Sequence, residues 1–423
     1  MRTDKKLIYF LIYWIIYSGL IVQYIWSNKL INFVPDIIVF YLWFTSWEKK
    51  YNIPIKHYIG KVIPIIIVFF IAVGVFSDLL NEQPLLNCLF GLRNYIRYFV
   101  LFIVIHKTFN LNDVLKTKDI YIQGLKYNLL FVIFQSLVLG IRGDLLGGTF
   151  SGGNSDLYLF ILPGIFMLSC DYFQKRIKIS TLFLYTAGII YFALVGEVKI
   201  IYFTIPLIIY GAYVLIKRFC ISHIVTLIFG FIFIIPLLQY LMGFYYSQDY
   251  INKVFELDEI DRYTNNKGFG EFNRGTAITL SNSILLTDTQ HRLLGYGFNS
   301  ASTSDIFVSP LSNIYSYISG FQYFSTSYLL AETGWIGFIL FIVGHILLFS
   351  RFYMFYCKYT KDPIIKNWST VGLLSVAMTF LLIWFNNSPV CGYYLMYILW
   401  AIIFLSIKFR VQYLTRKRKS VNS

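Results

Sequence analysis

Apolar runs long enough to cross a bilayer recur along almost the whole chain. About twelve can be marked, at 7–26, 31–46, 62–77, 85–105, 121–140, 157–173, 179–196, 198–216, 221–246, 325–349, 368–386 and 389–408. A hydrocarbon core about 30 Å thick takes roughly 17–25 helical residues. Inside lipid only helices, or a closed barrel, keep every backbone group paired. The pattern therefore predicts an all-α, polytopic membrane protein, a single transmembrane domain over 1–423. The one long interruption, 247–324, falls between the ninth and tenth spans. It holds apolar residues at helical spacing in RGTAITLSNSILL, then HRLLGYGFNSAS and the aromatic-rich YSYISGFQYFSTSY. One or two short helices packed over the mouth of the bundle are expected there. The start, MRTDKK followed by an apolar run without a small-residue cleavage site, reads as a retained signal-anchor.

Composition agrees. The chain is 57% hydrophobic, 20% aromatic and only 13% charged, against about a quarter charged for a soluble domain. Its net charge of +15 raises the question of nucleic acid, but the distribution answers it. With the N-terminus in the cytoplasm, 26 of the 36 Lys and Arg fall on the cytoplasmic side, which supports twelve spans with both termini inside. The charge is then topology plus attraction to anionic membrane lipids, and no nucleic acid partner is expected. The tail RVQYLTRKRKS reads as a solvated cytoplasmic end. Cys88 and Cys391 fall in spans, and Cys170, Cys220 and Cys357 at or near the cytoplasmic face. None forms a CxxC pair, so free thiols are expected, with neither a metal site nor a disulfide framework.

The cations that break the positive-inside pattern carry the candidate chemistry. Arg93 and Arg97, in GLRNYIRYFVLF, share one helical face in the outer half of a span. Such cations usually face a protein-lined or wet cavity; alternatively, Arg97 snorkels or pairs with Asp78 or Glu82. Lys199, in VGEVKII, sits at an outer turn, where it could simply pair with Glu197. Arg142 opens the outer loop IRGDLLGGTFSGGNSD, with Asp144 as an ordinary partner; the glycines would let the backbone fold back tightly where side chains would obstruct a bulky glycan. The long loop adds Arg274, His291 and Arg292. His291 is the one histidine of five that maps outside, and it could equally be a plain solvated loop residue. Several fixed cations at the outer leaflet suit a phosphate-bearing lipid. Arginine presents a planar fork to phosphate oxygens, and a diphosphate leaving group needs its developing charge stabilised.

Three motifs in order resemble the O-antigen and capsular polysaccharide polymerases of the Wzy type, which are related to the O-antigen ligases. They are Arg142 followed by GGTFSGGN, Arg274 with RGTAITLSNSILL leading into LLGYGFNS, and TSYLLAETGWIGFILF at the tenth span. The resemblance covers roughly residues 85 to 345. It implies a GT-C-like, metal-independent glycosyltransferase in the bacterial plasma (inner) membrane, with no cofactor. Such an enzyme moves a glycan from undecaprenyl diphosphate onto another lipid-linked repeat unit at the outer leaflet, and a chain-length regulator is a further partner. Arg142, Arg274 and His291 become the candidate catalytic residues; Arg93, Arg97, Lys199, Arg292 and Glu332 become candidate substrate-binding residues. Glu332 could also simply favour a helix start. Ligase-type members carry a His-Asn pair before that glutamate, where this chain has Tyr323–Phe324. The departure counts against a ligase-style histidine base and leaves His291, or no side-chain base. Twelve spans also describe a lipid-linked oligosaccharide flippase or another secondary transporter, which usually binds near mid-membrane on broken helices. A ligase would differ only in its acceptor.

Overall fold

The computed structural model describes residues 2–27, 29–46, 56–151, 153–217, 272–302 and 320–422, with isolated positions at 222, 225, 236, 239–240, 243, 309 and 311. The expected span 221–246, with Cys220 and His223 beside or in it, falls largely outside the described residues. So do 247–271 and most of 303–319, and with them Lys253, Arg262 and Lys267.

The described residues form helices and turns, with no strand among them. The helices are α1 (Arg2–Tyr24), α2 (Val34–Ser46), α3 (Lys56–Ile59), α4 (Val62–Leu80), α5 (Leu85–Thr108), α6 (Leu111–Leu137), α7 (Asn154–Phe173), α8 (Ile179–Val195) and α9 (Ile201–Lys217). Two short ones follow in the long loop, α10 (Ala277–Leu280, extended by a wide turn to Leu285) and α11 (Thr289–Leu294). The chain ends with α12 (Ser325–Lys358), α13 (Pro363–Phe385), α14 (Ser388–Cys391) and α15 (Tyr394–Asn422). Their starts follow from local chemistry. Asn110 and Asp113 form a reciprocal capping box at α6, with N–H···O distances of 2.8 and 3.1 Å. Asp362 accepts from Ile364 and Ile365 at α13, whose first residue is Pro363.

Among the described residues, α1, α4, α5, α7, α12, α13 and α15 are long and apolar enough to cross a membrane, which makes the chain a polytopic membrane protein. Three further apolar helices among the described residues are shorter. Apolar α2, α8 and α9 have 13, 17 and 17 residues, and 17 helical residues rise only about 26 Å. Helix α6 has 27 residues, but Gln123, Lys126, Asn128 and Gln135 interrupt its apolar stretch.

Packing sorts the helices into layers. Some 83% of the apolar stretch is buried in α7 and α15, but only 28% in α1, α4 and α12, so the first pair forms the centre and the others its outer surface. Large exposed side chains such as Val68, Phe69 and Leu79 on α4 face outward, as lipid contact requires. One apolar cluster fills the centre around Tyr121, Phe160, Phe166 and Phe404. A smaller one, with Phe70, Tyr95, Phe298, Phe321 and Leu329, lies where the long loop docks on α4, α5 and α12. At one end of the bundle, here the base, Lys5 and Lys118 bond Asp113 and Asp171, and Arg410 pairs with Asp362 at 2.8 Å. The opposite end gathers the α4–α5 turn, residues 138–153, the α8–α9 turn, α10, α11 and α14; it is called the loop end.

Candidate functional site

The GGTFSGG segment enters the bundle instead of standing over it. Gly148 N–H donates to Gln135 Oε1 at 2.9 Å, and Gln135 Nε2 returns a bond to Gly148 O at 3.1 Å. Thr149 N–H donates to Asn128 Oδ1 at 2.9 Å, and its hydroxyl to the Ile16 carbonyl. Both α6 amides are fully buried, so the polarity that interrupts α6 is spent on holding this loop. Phe150 seats on α1 at Gly19, where a Cβ would stand 2.3 Å from the Phe150 carbonyl carbon. At Gly153 a Cβ would stand 2.2 Å from Asp144 O. The close neighbour that demands glycine here is therefore the protein's own backbone.

The seated loop presents Arg142. Asn154 Nδ2 donates to Asp144 Oδ1 at 2.9 Å and to Gly196 O at 2.7 Å, tying this turn to the start of α7 and the α8–α9 turn. With Asp144 so engaged, Arg142 is exposed and makes no ion pair among the described residues. Its neighbour Gly143 lies against Glu197, about 3.8 Å from a built Cβ to Oε1. Lys199 sits two residues on. Burial pulls its ammonium below the ordinary lysine value, Glu197 opposes that, and the Arg274 cation adds to it. Arg274 is held on a turn by Asn273, whose Oδ1 accepts from Gly275 and Thr276 N–H at 2.9 Å each. Its guanidinium lies 4.0 Å over the Phe385 ring and donates through Nε to Phe385 O at 3.3 Å. Lys199 thus lies within electrostatic reach of both Glu197 and Arg274, and the Arg142 turn approaches Glu197 through Gly143.

Arg93 and Arg97 belong elsewhere. Both point to Asp36 of α2, at 3.4 and 3.3 Å. Arg97 pairs with neither Asp78 nor Glu82, because its α5 face packs on α2 and α15 and not on α4. Arg97 also donates to Tyr98 Oη and Cys391 O at 2.8 Å each, and the Tyr394 hydroxyl donates to Asp36. Arg93 lies 4.0 Å over Phe90. Two guanidinium groups therefore share one buried carboxylate, and Asp36 went unremarked in sequence although it is the one acid in NFVPDIIVFYLWF.

The remaining candidates lie where LLGYGFNS crosses α12. Tyr296 and Gly297 N–H donate to Ala331 O and Glu332 O at 2.8 and 2.9 Å, so the second and third motifs meet backbone to backbone. Glu332 is fully buried, its Oε2 accepting from Tyr95 at 2.7 Å. It precedes the break at Gly334 (φ 58, ψ −165), after which the helix resumes. Asp78, 2% exposed, lies beside it against Gly297 and was legible only as an acid in an apolar span. Asp288 caps α11: its carboxylate accepts from His291 N–H at 2.9 Å and from Nδ1. These bonds hold Asp288 below the usual carboxylate range. His291 Nε2 faces Asn81 Oδ1 at 2.8 Å; the Asn81 amide is oriented by Nδ2 donating to Ser77 O and Gly295 O. Both ring nitrogens thus have a partner within the protein. Arg292 is exposed, donating through Nε to Leu286 O at 2.9 Å. The four described cysteines, Cys88, Cys170, Cys357 and Cys391, are free.

No protein-family model matches this chain, and neither does any curated protein. The functional reading rests on the residues themselves.

Proposed function

We propose that the chain is a membrane-embedded polysaccharide polymerase that extends a glycan carried on a lipid diphosphate. The observation that carries this reading is the placing of Arg142, Lys199 and Arg274 at the loop end, with Arg274 and Glu197 both acting on Lys199, the Arg142 turn against Glu197 through Gly143, and Arg142 exposed outside any described ion pair. Three fixed cations on three segments suit a diphosphate, whose charge grows as the glycosyl bond breaks. The anomeric carbon leaves the diphosphate oxygen and joins an acceptor hydroxyl oxygen, and the hydroxyl proton goes to the departing diphosphate. Arg142 and Arg274 offer forks to the phosphate oxygens and Lys199 a point charge. His291 and Glu332 position the docked loop, and the Arg93–Asp36–Arg97 cluster shapes the bundle behind it.

The finer topology belongs to the same proposal: twelve spans, both termini cytoplasmic, and the loop end facing outward from a bacterial plasma membrane, as the Lys and Arg distribution favours. Undecaprenyl-diphosphate-linked repeat units are the substrates. A flippase is the second reading, favoured by the buried carboxyls Asp78 and Glu332, since intramembrane acids mark ion and substrate pathways. Purified protein in proteoliposomes with a lipid-linked repeat unit separates the two. Lengthened glycans support the polymerase; movement of the repeat across the bilayer without lengthening overturns it.

A further inference from the structure

The α8–α9 turn breaks two local rules at one residue. Helix α8 closes with Gly196 N–H donating to Phe192 O at 2.8 Å and Val198 N–H to Ala193 O at 3.1 Å. That closure puts a left-handed residue between the two, a place where glycine is the usual choice. Here the glycine falls one position early, and Glu197 takes the left-handed conformation, with φ 57. A Cβ makes that conformation costly. The helix dipole also disfavours an anion at a helix C-terminal end. Strain kept at a residue that glycine would relieve points to a use for the side chain.

The position of that side chain narrows the use. Glu197 is exposed, and its carboxylate makes no hydrogen bond or ion pair among the described residues, so it does not hold the turn. Asn154 does that, donating to Gly196 O at 2.7 Å and to Asp144 Oδ1 at 2.9 Å, which fixes the Glu197 turn against the Arg142 turn. The carboxyl group reaches across between them: a Cβ built on Gly143 lies 3.8 Å from Glu197 Oε1 and 3.9 Å from its Cδ. An anion there weakens the hold of nearby cations on a diphosphate, so it does not serve the leaving group. A carboxylate accepts from a hydroxyl instead. We propose that Glu197 is the general base of the transfer and takes the proton of the acceptor sugar hydroxyl. This step rests on the polymerase reading. The acceptor oxygen joins the anomeric carbon, the bond to the diphosphate oxygen breaks with its electron pair on the diphosphate, and Glu197 passes the proton on to it.

The test measures initial rates of glycan lengthening by the full chain in proteoliposomes with a lipid-linked repeat unit. Glu197→Gln and Glu197→Gly should each slow lengthening about 10²-fold or more, the size of a lost general base, with KM for the repeat unit no higher than in the unmodified protein. Glu197→Gly relieves the left-handed strain, so it should unfold thermally no earlier than the unmodified protein. Sodium formate, a free carboxylate, should restore part of its rate, and sodium chloride should not. Glu82 takes the same conformation at the end of α4, with φ 49 and no described ion pair, so Glu82→Gly should lengthen glycans normally. Near-normal rates in either Glu197 variant, or a loss in Glu197→Gly that formate leaves unrepaired, would overturn the proposal. If the unmodified protein lengthens glycans and the Glu197 variants do too, this proposal alone fails; if the unmodified protein moves repeat units without lengthening them, the polymerase reading fails.

Discussion

Gly295 of the long loop and Gly334 of α12 meet with no room for a side chain on either. A Cβ on Gly295 would lie 2.6 Å from Gly334 N, and one on Gly334 would lie 2.4 Å from the Leu293 carbonyl carbon. The break in α12 exists to let the loop backbone reach it: Gly334 takes φ 58, which lets Glu332 O turn to the Gly297 N–H. Gly334→Ala should therefore cost more than the ordinary glycine-to-alanine change, about 2 kcal/mol or more, from strain and clash together. Thermal unfolding in detergent reads this directly, and an unchanged midpoint would mean that the crossing is looser than described.

Asp36 holds two guanidinium groups, and its loss should leave both without an anion. Asp36→Asn is expected to destabilise the fold by about 3–5 kcal/mol. Adding Arg97→Gln should recover part of that loss, because one stranded cation is removed. If the two changes simply add, the pair is not the unit inferred from the 3.3 Å contact.

Arg142 should behave in the opposite way. It is exposed and outside any described ion pair, so Arg142→Ala should leave stability within about 0.5 kcal/mol. Chain extension should be lost, with single repeat units accumulating on the lipid. Arg142→Lys should restore only part of the activity, since the ammonium lacks the planar fork. Arg274→Ala should give the same phenotype. Normal polymer length in both alanine variants removes this assignment.

Asp288 brings a pH dependence to the docked loop. Hydrogen bonds from His291 N–H and Nδ1 depress its carboxyl, so its stabilisation is fully present above the unfolded carboxyl value of about 4 and is lost as pH falls through the lower, folded value. Hydrogen exchange of residues 289–294 should stay constant from pH 7 to about 5, after correction for intrinsic rates, and quicken below that window. Asp288→Ala should lose the protection at neutral pH, by about 1 kcal/mol for the missing cap.

Much of this could be read along the chain. Runs of apolar residues marked the helices and the glycine-rich GGTFSGG marked a tight turn, but its seating inside the bundle against α1 and α6 was not legible, because an outer loop making room for a ligand has the same composition. What could not be read was which partner each polar group chooses. Arg97 and Asp36 are 61 residues apart, and Asp36 lies on a short helix whose register against α5 no local pattern sets. Asp78 meets Gly297 through a loop that folds back across α12. Asn128 and Gln135 give no sign of their partners along the chain, because those partners, Thr149 and Gly148, are backbone groups of another segment.

The seating of Phe150 on Gly19 has a consequence for how the protein is made. Thr149 and Ile16 are separated by 133 residues, so α1 enters the membrane long before its loop is synthesised. Until α6 and α7 insert beside it, α1 carries an open notch at Gly19, the kind of surface on which small-residue helices pair. A chain lacking α1 would still thread its later helices, but the Arg142 turn would have no floor to stand on. A helix made before α6 and α7 thus acts as an assembly template for a cation presented from the far side of α6.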